Sequence, residues 1–209
     1  MRPKQVPYFS QWESRELTTD VLERGAAVAL MADPRWASSG ARSASEYAQW
    51  ANSLCGMACL KMILAARTGR SMPTLDLARK CTEYGGYTLA ETGEIKGLVY
   101  APFIRFIEGE FGIDGQVVTG IDAVGIEAVM RDAEFFIASV HHSIRWPDRE
   151  PPARGGHLVL VLAAGPDKIV FHNPSGHDVS SQEYAYMPVA DFGKFFAGRG
   201  VAIAPGDRR

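Results

Sequence analysis

The chain contains 209 residues, of which 46% are hydrophobic, and it has a formal net charge of −2. A chain of this length buries roughly 70% of its extended surface on folding, so a core forms without disulfides or a metal ion. Its 22 basic and 24 acidic residues argue against a nucleic-acid binder, which usually has a basic excess. No apolar run approaches the ~18 residues that a membrane-spanning helix requires. We therefore expect one globular domain over 1–209, with neither nucleic acid nor a membrane as its partner.

The N-terminus lacks the pattern of a secretory signal peptide. Residues 1–4 are basic, but Glu13, Glu16 and Asp20 follow where an apolar segment is required. The three cysteines are too few, and odd in number, for a disulfide framework. These observations predict a cytoplasmic protein.

The first half of the chain is predicted to be mainly helical, after an extended segment at 6–11. Apolar periodicity and capping residues predict a helix over 21–31, a loop over 37–45, a short helix over 45–53, a buried helix over 55–67, and further helices over 74–84 and 96–111.

The second half is predicted to consist mainly of strands. Its patterns predict strands over 116–118, 135–140, 157–164, 168–172 and 201–204, helices over 125–132 and 189–197, and an exposed, proline- and arginine-rich loop over 145–154. Helices followed by a mainly antiparallel sheet are typical of an α+β fold.

A cysteine stands where the helix over 55–67 begins. Unpaired backbone N–H groups and the helix dipole favour an anion at that end, and such sites lower the pKa of a cysteine from its usual ~8.5. We expect Gly56 to leave room for a substrate backbone beside the sulfur. The backbone N–H of Cys55 and the side chain of Gln49 are candidate donors to an oxyanion. The pattern therefore favours Cys55 as a nucleophile.

His157 is the histidine best placed to serve as a base, since it follows Gly155-Gly156 and begins an apolar strand. If residues 165–167 form a three-residue turn, His157 lies across the hairpin from Ser175. Asn173 is then one diagonal step away on the same face. A loop of even length would send the two side chains to opposite faces. The pattern predicts that Asn173 orients the His157 ring.

These motifs resemble those of the papain-like cysteine peptidases. Gln49 lies six residues before a Cys-Gly helix start, a Gly-His pair begins an apolar strand, and an Asn-Pro pair ends the next strand. The segments CGMACLKMIL, GGHLVLVL and VFHNPSG are most similar to the bacteriocin-processing (double-glycine-leader) peptidases and their free-standing relatives. VPYFSQ at 6–11 is similar to the opening of many such free-standing proteins.

The resemblance implies a papain-like α+β fold, with the cysteine helix packed on an antiparallel sheet. It implies Cys55 as nucleophile, His157 as general base and acid, and Asn173 as the residue that orients His157. It also implies Gln49 as an oxyanion donor.

The sequence departs from the bacteriocin-processing pattern in three ways. Asn173 stands where that branch commonly has Asp, although papain itself uses Asn. The glutamine of VPYFSQ often lies close ahead of the cysteine, whereas Gln11 is separated from it by 12–48, a predicted insertion or N-terminal extension. Gln11 is thus a second candidate donor, and its spacing favours Gln49. No transporter segment follows, so a double-glycine leader is not the expected substrate.

The resemblance implies a cysteine-dependent hydrolase of peptide or amide bonds that acts on a peptide or protein. A Cys55 thiolate paired with protonated His157 would attack the carbonyl and form a thioester. The same residues would serve an acyltransferase or a deamidase. A non-catalytic peptide-binding protein of the same fold is a further alternative.

The other candidate groups are assigned structural roles. Cys59 and Cys81 lie at core positions of predicted helices, and His172 faces away from Asn173. The Cys-x₃-Cys spacing on one helix lacks the second paired motif of a zinc site, so no metal or cofactor is predicted. We expect the arginines of 145–154 to be solvated.

Overall fold

A computed structural model describes residues 5–206 of the chain. The described part does not include residues 1–4, on which part of the localisation prediction rests. It also does not include residues 207–209, the end of the predicted domain. The helices are α1 (Thr18–Arg24), α2 (Ala26–Met31), α3 (Ala44–Ala51), α4 (Cys55–Thr68), α5 (Thr74–Glu83), α6 (Tyr100–Phe111), α7 (Gly125–Asp132), α8 (Val179–Gln182) and α9 (Val189–Phe195). The strands are β1 (Thr88–Leu89), β2 (Ile95–Lys96), β3 (Gly115–Thr119), β4 (Phe135–Val140), β5 (His157–Ala164), β6 (Lys168–His172), β7 (Ala185–Pro188) and β8 (Phe196–Ile203).

An antiparallel sheet of six strands, in the order β3-β8-β4-β5-β6-β7, forms the centre of the fold. The inner strands β4 and β5 are buried on both faces, as their largely apolar sequences require. In β5, Leu158 and Leu160 pack in the core that contains α4, α5 and α6. Val159 and Val161 alternate with them and pack against residues of α7 and α9. The predicted α+β fold, with the cysteine helix packed on an antiparallel sheet, is confirmed.

Several predicted element bounds differ from the structure. The helix predicted over 21–31 is broken at Gly25, whose φ of 85° only glycine adopts readily, into α1 and α2. The short strands β1 and β2 pair as a hairpin that the sequence analysis did not predict. Helix α6 begins at Tyr100 rather than at 96, so Pro102 lies in its first turn, where proline is tolerated.

Residues 12–51 form a small core of their own beside the main one. Trp12, Leu30 and Tyr47 are nearly inaccessible to solvent there. The buried Asp33 carboxylate accepts hydrogen bonds from Ser14 Oγ at 2.6 Å and from the Tyr47 hydroxyl at 2.6 Å. Because residues 12–51 fold into this cluster, the start of α4 lies close to the segment at 6–11. That 12–48 is an insertion or extension stays a prediction.

The β5–β6 register differs from the prediction near the turn and agrees with it near the strand end. At the turn Ala164 pairs with Ile169 rather than with Lys168. A register shift between Val161 and Ala163 compensates for this difference. Beyond it Leu160 pairs with His172, which is the predicted alignment. The bulge therefore places Asn173 on the same face of the sheet as His157, whereas the turn alone would have placed it on the opposite face.

Candidate active site

The Cys55 side chain is half-buried at the first residue of α4. Within residues 5–206 no side chain caps this helix, whose N-cap residue Leu54 is apolar. Gly56 lies directly beneath β5, and a Cβ atom there would come 2.7 Å from Leu98 Cδ2 and 3.0 Å from Leu158 Cδ1. The expectation that Gly56 leaves room for substrate is therefore wrong, because these two leucines occupy the space. The glycine instead allows α4 to approach the sheet closely.

His157 and Asn173 meet at the end of the β5–β6 hairpin. The His157 Nε2 atom lies 2.8 Å from Asn173 Oδ1, and both side chains are at most 5% exposed. Asn173 Oδ1 also accepts the Ser175 backbone N–H at 3.1 Å, which fixes the orientation of the amide. We therefore assign the proton to His157 Nε2. Among residues 5–206, none forms a hydrogen bond with the other ring nitrogen, Nδ1, whose lone pair is then available as a base.

A buried arginine supports this pair from behind. Arg145 Nη2 donates to Ser175 Oγ at 2.6 Å, and Ser175 Oγ lies 3.1 Å from His157 Nε2. Arg145 is only 5% exposed, so the prediction of a solvated loop over 145–154 is wrong for its first residue. Arg149 and Arg154 of that loop are exposed, as predicted. The register prediction had placed Ser175 opposite His157, whereas no local pattern indicated that Arg145 would reach it.

The two candidate glutamines occupy different environments. Gln11 is 4% exposed, and its Nε2 lies 3.4 Å from the carbonyl oxygens of Ala51 and Asn52, in the turn that leads into Cys55. Gln49 is exposed on α3 and donates to the carbonyl oxygen of Gly93 at 2.9 Å. The structure thus brings Gln11 next to the start of α4 and directs the Gln49 amide towards the β1–β2 hairpin.

Cys55 and His157 line the same cavity, which has a volume of about 560 Å³. Its wall is formed by twelve residues from the α4 turn, the β2–α6 connection, β4, β5 and β8: Asn52, Ser53, Cys55, Ile95, Gly97, Leu98, Tyr100, Ser139, Gly156, His157, Leu158 and Arg199. The φ angles of Gly155 and Gly156 are both 89°. A side chain would strain this conformation, so the two glycines explain how the chain turns into β5 at the cavity mouth.

Burial shifts both candidate reacting groups towards their neutral forms. Burial raises the pKa of the Cys55 thiol to about 11, although the N–H groups of Leu158 and Gly56 act in the opposite direction. Burial, together with the positive charge of Arg145, lowers the pKa of His157 to about 3. Near neutral pH the two groups are therefore a thiol and an uncharged imidazole. The sequence analysis had expected a thiolate and an imidazolium.

The other sulfur and imidazole groups lie in structural positions. Cys59 and Cys81 are fully buried, and burial raises the pKa of both thiols. His172 is also fully buried; its Nε2 lies 3.0 Å from the Val6 carbonyl oxygen, and its Nδ1 accepts the Tyr184 N–H at 2.9 Å. Within the described range 5–206, no three His, Cys, Asp or Glu side chains are grouped so as to hold a metal ion. No helix of that range is long and apolar enough to cross a membrane.

Comparison with solved structures identifies the fold. The chain superposes with a TM-score of 0.52 on a double-glycine-motif protease from an AMS/PCAT transporter, solved in complex with the leader peptide; 98% of this chain and 94% of that chain are covered at 13% identity. The chain has the double-glycine peptidase fold. It is also similar to the peptidase domain of Streptococcus ComA, a bifunctional ABC transporter involved in a quorum-sensing pathway. That match has a TM-score of 0.51 and 15% identity, and it covers 74% of this chain and 93% of the other.

The similarity to this papain-like fold extends over almost the whole chain, while the sequence identity is low. No family model matches the sequence, and a search of curated proteins gives no match. At this identity the comparison establishes the arrangement of helices and sheet. The roles of individual residues have to be argued from the geometry of this chain.

Proposed function

We propose that the protein is a cysteine-dependent hydrolase of peptide or amide bonds. The observation that carries this proposal is the hydrogen bond between His157 Nε2 and Asn173 Oδ1, which orients a histidine that lines the same cavity as Cys55. A neutral histidine oriented in this way presents its basic Nδ1 away from Asn173, and the cysteine lies on the same cavity wall. The solved leader-peptide complex of the AMS/PCAT protease supports a peptide as the bound substrate.

The first half of the reaction forms a thioester. His157 Nδ1 takes the thiol proton as Cys55 Sγ bonds to the carbonyl carbon, so the neutral resting pair is converted to charged groups only during attack. The resulting oxyanion accepts hydrogen bonds from the Cys55 backbone N–H and from a glutamine side chain. Collapse of this intermediate breaks the C–N bond, and His157 returns its proton to the leaving amine.

The second half regenerates the enzyme. Water replaces the amine beside His157. His157 removes a proton from this water as the water oxygen attacks the thioester carbon. The C–S bond then breaks, a carboxylic acid leaves, and Cys55 regains the proton held by His157. Asn173 keeps the ring in one orientation through both halves, as the third member of a triad does.

We assign the side-chain oxyanion donor to Gln11 in preference to Gln49. Gln11 lies against the turn that leads into Cys55, and its amide contacts there are long, at 3.4 Å. Its buried Oε1 atom accepts no hydrogen bond within residues 5–206. Gln49, by contrast, is exposed and already donates to Gly93. A weakly held amide beside the helix start is the better candidate for donation to a developing charge.

A thiol-directed peptidyl chloromethyl ketone tests the nucleophile. We expect mass spectrometry to find the adduct on Cys55 alone, with an unchanged rate in Cys59→Ala and Cys81→Ala. The rate should fall at least about a hundredfold in His157→Ala, since general-base catalysis contributes about 10²–10⁴-fold. Equal, slow labelling of all three thiols, or a rate indifferent to His157→Ala, would favour a binding protein.

The reaction type is tested by incubating the protein with a peptide library in water enriched in ¹⁸O. Hydrolysis of a peptide bond places one ¹⁸O atom in each new C-terminal carboxylate. Deamidation places ¹⁸O in a side chain of an uncleaved peptide, and acyl transfer joins an added amine without ¹⁸O. Cys55→Ala is the blank. If only transfer or deamidation products depend on Cys55, the hydrolase proposal is wrong.

A further inference from the structure

Three polar side chains meet on the wall of the cavity beside the candidate nucleophile. A Cβ atom placed on Gly155 would lie 3.2 Å from Arg199 Nη2 and 3.3 Å from Ser139 Oγ, so both groups converge on this glycine. The Tyr100 hydroxyl interacts with both side chains and lies close to Cys55. All four of these side chains line the cavity. The cluster therefore adjoins the position where a scissile bond would lie.

An irregularity in the sheet places Arg199 next to Ser139. Strand β8 pairs with β4 through Gly200 opposite Ala138 and through Phe196 opposite Val140. Three residues of β8, 197–199, therefore stand opposite the single residue Ser139 of β4. Bulges of this kind redirect side chains and are frequent beside active sites. Here the bulge brings a guanidinium group to the rim of the cavity.

The charge on Arg199 is not compensated by the cavity wall. Of the twelve residues that line the cavity, Arg199 alone carries a formal charge near neutral pH, since His157 is neutral. No carboxylate among the described residues 5–206 forms an ion pair with it. Asp122, which lines a neighbouring cavity together with Arg199, accepts a hydrogen bond from the Gly125 N–H instead. A single positive charge in a cleft attracts anions.

We propose that Arg199, Tyr100 and Ser139 form an anion-binding subsite that selects peptides with a carboxylate close to the bond to be cleaved. This inference rests on the proposed function. A guanidinium presents two parallel N–H groups that match the two oxygens of a carboxylate, and the neighbouring hydroxyls supply further donors. The carboxylate is either the side chain of an acidic residue or the C-terminus of the peptide.

Binding to the inactive Cys55→Ala protein separates recognition from turnover. The probes are dye-labelled, alanine-rich octapeptides with Glu, Gln or Lys at one position at a time, each made with a C-terminal carboxylate and with a C-terminal amide. Fluorescence anisotropy gives the Kd values. We expect a carboxylate at the favoured position to improve Kd about tenfold over its neutral counterpart, as for a charge-assisted hydrogen bond. A Glu-over-Gln preference identifies a side-chain carboxylate, and an acid-over-amide preference identifies the C-terminus.

Substitutions assign the preference to this cluster. Added to Cys55→Ala, Arg199→Gln should reduce the carboxylate preference to about one, and Arg199→Glu should favour the Lys peptides. Arg131→Gln removes the same charge from an exposed position outside the cavity and should leave the preference unchanged. If no peptide binds with a carboxylate preference, or if the preference survives Arg199→Gln, the subsite is wrong.

Turnover by the Cys55-containing protein then distinguishes the two proposals. Arg199-dependent binding without Cys55-dependent cleavage leaves the subsite in place and contradicts the hydrolase. Cys55-dependent cleavage at equal rates for the Glu and Gln peptides, and for the acids and the amides, leaves the hydrolase in place and contradicts the subsite.

Discussion

The two halves of the candidate site are held in different ways. On the sheet side, His157, Asn173, Ser175 and Arg145 are all at most 5% exposed and are joined by hydrogen bonds of 2.6–3.1 Å. On the helix side, Cys55 is half-buried at a helix start that no side chain of residues 5–206 caps. Helix α4 is held mainly by apolar packing, and its polar contacts, from Lys61 and Arg67, lie further along the helix. The sheet half is therefore fixed by directional hydrogen bonds at the end of the β5–β6 hairpin, whereas the position of Cys55 in the helix half depends on the packing of α4.

The segment at 6–11 contacts both halves of the site. The Gln11 backbone N–H donates to the Pro174 carbonyl oxygen at 2.9 Å, and the Tyr8 hydroxyl donates to the Asn173 carbonyl oxygen at 3.0 Å. The Gln11 side chain lies against Asn52, just ahead of Cys55. Residues 6–11 thus fix the position of the helix half relative to the sheet half. Substitutions in each half, and in this bridge, test whether the division is real.

The largest effect is expected where the bridge meets the helix half. Gln11→Ala should lower kcat about 10²–10³-fold if its amide stabilises the oxyanion, as the loss of one such donor does elsewhere. Gln49→Ala is the matched control and should change kcat less than about threefold. Steady-state kinetics on a cleaved peptide give both values, and thermal melts check that each variant is folded.

The opposite result would reverse the assignment. A large loss in Gln49→Ala with a small one in Gln11→Ala would return the donor role to the glutamine that the spacing favours. Gln11→Glu adds a second check, since it keeps the size of the side chain and removes the donor, so it should lose about as much activity as Gln11→Ala.

A smaller loss is expected in the sheet half, at Asn173. Asn173→Ala removes the acceptor for His157 Nε2 and frees the ring, so kcat should fall by up to about 10²-fold. Asn173→Asp keeps an oxygen acceptor for both His157 and the Ser175 N–H, and should remain within about tenfold of the wild type. Equal losses in the two variants would show that Asn173 serves packing rather than orientation of the ring.

The sequence predicted the sheet half better than the helix half, and the reason is topological. His157 and Asn173 lie on one hairpin, so period-two alternation relates them over only sixteen residues. Even there, the turn alone gave the wrong alignment, and the shift at Leu162, which no local pattern signals, restored the predicted face. Arg145 shows the limit of local patterns. Its proline-rich surroundings predicted a solvated side chain, and its partner Ser175 comes close only in the folded chain.

The glutamines show why spacing along the chain is a poor guide to distance. Gln49 is close to Cys55 in sequence, yet α3 directs its amide outwards. Gln11 is far from Cys55 in sequence, yet residues 12–51 fold into their own core and return the chain beside its starting point. The folded cluster, and not the spacing along the chain, thus determines which glutamine lies beside Cys55.

A change in pH dependence, rather than in maximal rate, is expected at Arg145. Burial is the main cause of the low pKa of His157, and the positive charge of Arg145 adds to it by disfavouring the imidazolium. Protonated His157 cannot accept the thiol proton, so activity is lost as the pH falls through this pKa. Arg145→Met removes the charge and raises the pKa, which should move the acid limb of kcat/KM to higher pH by about one unit.

Two variants separate charge from contact at this position. Ser175→Ala removes the hydroxyl that contacts both Arg145 and His157 Nε2 but keeps the charge, and should leave the acid limb in place. Arg149→Met removes an exposed charge from the same loop and should also leave it in place. If the acid limb does not move in Arg145→Met, or moves to lower pH, the charge of Arg145 does not lower the pKa of His157 and this prediction is wrong.

The smallest effect is expected at His172, which anchors the bridging segment to the sheet half. Its Nε2–H donates to the Val6 carbonyl oxygen and its Nδ1 accepts the Tyr184 N–H, so both nitrogens are used only in the neutral ring. Burial lowers the pKa of His172 in the folded protein. The folded state therefore binds this proton less readily than the unfolded chain, and stability is lost as the pH falls below the ordinary value of ~6.5.

His172→Gln removes this titration and keeps a polar group of similar length. At pH 7 it should lower the free energy of unfolding by about 1 kcal/mol, the cost of one lost hydrogen bond. Urea unfolding between pH 7 and 5 should then show a shallower decline of stability for the variant than for the wild type. Parallel curves would contradict this account, because they would mean that His172 has the same pKa in the folded and the unfolded chain.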